Sequence, residues 1–82
     1  MSHTIRIDLA DDVLLGMQKD DRTMAADMRL AAAVKWYECG ILTQEKAAAV
    51  AGMSRAEFMV SLTRFGVSPF QETKEEVLTV LK

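Results

Sequence analysis

The spacing of apolar residues changes once along the chain. From Thr4 to Leu9 it is two: Ile5, Ile7 and Leu9 share one face, Thr4, Arg6 and Asp8 the other. That alternation predicts a short half-buried strand at 4–9. After it the spacing becomes helical. Asp11 and Asp12 suit a helix start, where exposed N–H groups favour negative charge, and Val13, Leu14, Leu15 and Met17 give an apolar side to a short helix at about 11–18. The polar run Gln18–Arg22 ends it. A long helix is expected over 23–39, capped by Thr23 and stopped by Gly40, with Met24, Met28, Ala31 and Leu30, Val34, Tyr37 as adjoining stripes. Ala31, Ala32 and Ala33 would admit a second helix closely, while Trp36 and Tyr37 supply bulk.

Two short helices follow, at 44–51 and 55–65. Thr43 caps the first, and Lys46 stands where a full capping box would have Glu or Gln. Ser54 with Glu57 three residues on is a complete box for the second, and Gly66 is its stop. Between them Gly52 supplies the positive φ of a sharp turn. Ala48 leaves room where the helices cross, Met53 points inward, and Ala47, Ala51, Phe58 and Leu62 face the interior between them. Helix, tight turn and helix in this pattern predict a helix-turn-helix at Thr43–Phe65, whose second helix can enter a DNA groove; an ordinary helical hairpin is the plainer alternative. Val67-Ser-Pro-Phe70 reads as a short extended segment kept to an edge by Pro69. Val77, Leu78 and Leu81 suggest a weak helix at about 72–81. The expected class is therefore mainly α, a single domain over 1–82, with an N-terminal strand leading into a helical domain.

Composition limits the function. At 82 residues the chain buries a modest core, which favours a partner or a second copy. Cys39 is the only cysteine, so no internal disulfide forms. No apolar run is long enough to span a bilayer, and the N-terminus lacks the basic-then-apolar order of a signal peptide, so no membrane association is expected and the chain reads as cytoplasmic. The net charge of −2 is unlike that of an isolated nucleic-acid binder. The acidic excess lies elsewhere, however: Thr43–Gly66 carries Lys46, Arg55 and Arg64 against Glu45 and Glu57. A dimer would be needed to gather enough positive charge for phosphate.

On the second helix of the pair, Arg55, Ala56, Glu57, Met59, Val60, Thr63 and Arg64 are expected outside to varying degrees. Ser54, Arg55 and Arg64 are the leading candidate DNA contacts, with Gln44 and Lys46 in support. Met59 and Val60 read bases poorly and suit thymine methyls or a protein surface, which keeps open a protein-binding module as the alternative. The N-terminal strand offers another route: two antiparallel copies would make a ribbon with Thr4, Arg6 and Asp8 outward, though Asp8 repels phosphate. Pairing with Val67–Phe70, or sealing the core, is the plain alternative. His3 is a lone terminal histidine. Asp11–Asp12 and Asp20–Asp21 lack the interleaved ligands of a calcium loop, and the six methionines fit a core. With no nucleophile–base pair and no phosphate-cradling glycine loop, no enzyme activity, cofactor or metal is expected.

The stretch from Ala33 to Phe58 also resembles a family of small prokaryotic proteins, formerly of unknown function and now treated as antitoxins with a helix-turn-helix. Its pattern runs as a helix ending Leu-Tyr-x-x-Gly, then Ser/Thr-x-x-x-Ala-Ala-x-x-Ala-Gly-Met-Ser-Arg-x-x-Phe. Matching positions here are Trp36 (in place of Leu), Tyr37, Gly40, Thr43, Ala47, Ala48, Ala51, Gly52, Met53, Ser54, Arg55 and Phe58. Gly66-Val67-Ser68-Pro69 and Glu72–Glu76 are similar to the family's ending with one residue inserted. The resemblance implies a transcription-regulating antitoxin, often encoded beside a PIN-type ribonuclease toxin. From its size and charge the chain is expected to bind DNA as a homodimer.

Overall fold

The computed structural model describes residues 2–69. Within them lie four helices: α1 (Asp11–Met17), α2 (Asp21–Glu38), α3 (Gln44–Ala51) and α4 (Arg55–Arg64). The expected helix at 72–81, and Phe70, fall outside the described residues.

Starts and stops come from local chemistry. Ser54 Oγ accepts the Glu57 N–H at 3.1 Å while Glu57 Oε1 accepts the Ser54 N–H at 3.0 Å, the reciprocal box read from the sequence. Thr43 Oγ1 accepts the Lys46 N–H at 3.2 Å. The α2 start corrects the sequence reading: Asp20, not Thr23, is the cap, its carboxylate accepting the Thr23 N–H at 2.8 Å. A charged acceptor at the helix start outcompetes a hydroxyl three residues later, so α2 gains Asp21 and Arg22 and the linker shrinks to 18–20. All four helices end alike. Lys19, Ile41, Met53 and Val67 each donate a backbone N–H to a carbonyl five residues back, at 2.8–3.1 Å. The residue before each has a positive φ: Gln18, Gly40, Gly52 and Gly66.

The core forms where α2, α3 and α4 meet. Leu30, Ala33, Val34 and Tyr37 come from α2, Ala47, Ala48 and Ala51 from α3, Phe58 and Leu62 from α4, with Val67 closing the end. Leu42, Val50 and Met53 pack against it. The Phe58 ring meets Tyr37 edge-on, with centroids 6.0 Å apart. Of the expected alanine contact on α2, Ala33 is fully buried but Ala31 is exposed, because at 100° per residue Ala31 falls well off the line of Leu30, Val34 and Tyr37. Ser61 is buried and turns its hydroxyl back to the Glu57 carbonyl at 3.0 Å.

The expected strand at 4–9 is absent. Residues 2–10 carry no regular structure, and Ile5 and Ile7 are 82% and 60% exposed. A strand needs a neighbour for its N–H and C=O groups, and no described segment offers one. Val67–Pro69 is engaged elsewhere: the Val67 N–H goes to the Leu62 carbonyl, and the Pro69 carbonyl accepts from Gln44 and Tyr37. The strand therefore neither pairs with that segment nor seals the core. No described helix is long and apolar enough to cross a membrane.

Candidate nucleic-acid interface

The three residues from Gly52 to Ser54 join α3 to α4, and the structure gathers three of the sequence candidates, Gln44, Ser54 and Arg55, around this junction. Arg55, the first residue of α4, donates its Nε–H to Gln44 Oε1 at 2.7 Å. Gln44, the first residue of α3, donates in turn through Nε2 to the Pro69 carbonyl at 2.6 Å. One glutamine thus ties together the two helix starts and the segment after α4. Tyr37 Oη supports the same carbonyl at 3.5 Å. The bond to Gln44 uses only the Nε–H of Arg55. Its terminal nitrogens point four further N–H donors from an exposed side chain, none taken by a described residue.

Ser54 is committed to the cap. Its oxygen accepts from the Glu57 N–H, and its hydroxyl also supports the Glu57 carboxylate, so both roles are spent within the box. The Ser54 backbone N–H, and then its hydroxyl, hold the Glu57 carboxyl below the ordinary carboxylate range. Glu57 therefore stays ionised beside the α4 start, where the helix dipole favours it. Lys46 is exposed in the first turn of α3. Arg64 is exposed in the last turn of α4, where a cation suits the dipole.

Helical geometry then decides how Arg55 and Arg64 relate. Nine residues advance α4 by roughly 13.5 Å and turn it by about two and a half turns, so the two arginines lie on opposite sides of the helix. Phe58, Ser61 and Leu62 face the core. Opposite them stand Ala56, Val60 and Thr63, all exposed, with Val60 at 66%. Arg55 borders this face on one edge, Glu57 and Arg64 on the other. No described residue covers it.

Sequence reasoning missed Arg29. From α2 its Nε–H reaches the Val50 carbonyl at 2.8 Å and one terminal nitrogen reaches Ala49 at 3.4 Å, so it caps the end of α3. The partners are about twenty residues apart in sequence, and no local pattern marks them. Among the described residues no group of three His, Cys, Asp or Glu side chains is placed to hold a metal. Cys39 is exposed.

Residues 1–79 match the profile of the family described as Uncharacterised protein family (UPF0175). The chain belongs to that family. The family description itself names no activity or ligand. Searches of curated proteins and of solved structures found no match.

Proposed function

We propose that α3, the turn at Gly52 and α4 act as a DNA-reading helix-turn-helix in an antitoxin-like transcription regulator. The observation that carries this is the uncovered outer face of α4, bordered on opposite edges by Arg55 and Arg64. A helix lying in a major groove about 12 Å wide faces a phosphate wall on each side, and arginines on opposite edges suit the two walls. The exposed start of α4 supports the same reading, since the N-terminal residues of a recognition helix reach the bases. Arg55, held by Gln44, is oriented with a free fork for guanine or phosphate. Lys46 adds a backbone contact, and Ser54 serves by fixing the start of α4. With a net charge of −2, one copy attracts DNA weakly, and two copies double the phosphate contacts.

The test is binding to the DNA upstream of the gene, measured by anisotropy across a salt series. Arg55→Ala and Arg64→Ala should each weaken binding and lower the salt slope by about one. If the double variant binds as well as the parent, the reading fails.

A second reading rests on the same face. It carries apolar Ala56 and Val60, with half-buried Met59 towards the Arg55 edge, which suits a protein partner such as a PIN-type ribonuclease toxin. Co-purification with the product of the adjacent gene, with no retention on heparin, would favour this reading over DNA.

A further inference from the structure

We infer that residues 4–10 form a two-stranded antiparallel ribbon with the same residues of a second copy, centred on Ile7. The segment is exposed throughout, yet it carries three apolar residues on one face and an opposite-charge pair on the other. Within one copy Arg6 and Asp8 already meet, Nε to Oδ1 at 3.5 Å, with both side chains almost fully solvated. They sit symmetrically about Ile7. An antiparallel pair whose two-fold axis passes through Ile7 therefore sets Arg6 of each copy opposite Asp8 of the other, twice. Ile5 then faces Leu9, and Ile7 faces its own counterpart.

The neighbouring registers do not work. A shift of the axis by one residue along the strand sets Arg6 against Arg6, or Asp8 against Asp8. A half-step shift sets apolar residues against charged ones, and a parallel pair sets like against like. Only one arrangement satisfies every position, so charge and hydropathy together select a second copy of this chain as the occupant. Two strands alone are marginal in water, and the exposed Val13 and Met17, one turn apart on the same side of α1, offer apolar cover for the ribbon. With Arg6 neutralised by Asp8, the polar face of this ribbon is a pairing surface and not a DNA-reading one.

The experiment is sedimentation equilibrium of the full chain at low salt. The parent should dimerise. Arg6→Asp alone and Asp8→Arg alone should each weaken self-association roughly tenfold, because two attractive cross-strand pairs become repulsive. The double variant R6D/D8R should restore it, since the exchanged charges still face each other. A mixture of the two single variants should form a heterodimer. A monomeric parent, or single variants that dimerise like the parent, would overturn the inference. The measurement contains no DNA, so its failure leaves the α4 reading intact, and loss of that reading leaves this one intact.

Discussion

The guanidinium of Arg29 lies against the backbone of Gly52, so α2 braces the turn between α3 and α4 directly. A methyl group placed on Gly52 would stand 3.1 Å from both terminal nitrogens of Arg29. Gly52 also has φ +70, a conformation that costs other residues about 1–2 kcal/mol. Gly52→Ala should therefore destabilise by at least that much, and it should also push the arginine off the Val50 carbonyl. Arg29→Ala removes hydrogen bonds worth about 1 kcal/mol at an exposed site. Because the first change already disturbs what the second removes, the double variant should lose less than the sum. Urea titrations of the four proteins measure this, and strict additivity would show the two residues to be independent.

The capping box should appear in the pH dependence of stability. Glu57 is more acidic in the folded chain than in the unfolded one, so between the two values the unfolded chain binds more protons. Its contribution is complete above the ordinary value of about 4.5 and is lost as pH falls through the lower folded value. Asp20 behaves alike below about 3.8, held down first by the Thr23 backbone N–H. The urea midpoint should therefore decline in acid, and Glu57→Gln should flatten the upper part of that decline. Ser54→Ala should cost about 1 kcal/mol at neutral pH.

Gln44 offers a way to separate folding from binding. Gln44→Glu keeps an acceptor for Arg55 but converts the contact to an ion pair. The new carboxylate sits at the α3 start, where the dipole favours it, and this offsets the lost bond to the Pro69 carbonyl. Thermal stability should change little. DNA affinity should fall about tenfold, since Arg55 is neutralised and a negative charge faces phosphate. Unchanged affinity would mean that Arg55 takes no part in binding.

Phe58 is the side chain on which α2 and α4 depend together. It is fully buried and meets Tyr37 edge-on. Phe58→Ala should cost about 3–5 kcal/mol, comparable to the whole stability of so small a domain. The helical circular dichroism signal at room temperature should largely disappear, whereas Phe58→Leu should retain it with a lower urea midpoint.

Features set by neighbours in sequence were legible in advance. Gly40, Gly52 and Gly66 mark three chain reversals, and Thr43 and Ser54–Glu57 mark two helix starts, because each acts within four or five residues. The inward positions Ala47, Ala51, Phe58 and Leu62 followed from spacing alone. Where two local solutions competed, as with Asp20 and Thr23, the stronger acceptor won and the helix began earlier than its alanine-rich pattern suggested. Long-range features were not legible. The Arg29 cap, the Gln44 bridge and the link from Pro69 to Tyr37 join residues distant in sequence. The alternation at 4–9 predicts a strand that the structure lacks, because a pattern cannot provide the neighbour that a strand requires. The candidate residues were read one at a time, which hid the half-turn separating Arg55 from Arg64.

Helix α1 has no fully buried side chain, and among the described residues the ion pair of Lys19, just past its end, with Asp27 is the one charged tether to α2. Opening it from the three-helix body takes little free energy. Residues 2–17 are therefore hung on the body as on a soft hinge. If they carry the joint between two copies, the distance between the two three-helix bodies is adjustable, and under the proposed function one dimer would span half-sites at unequal separations.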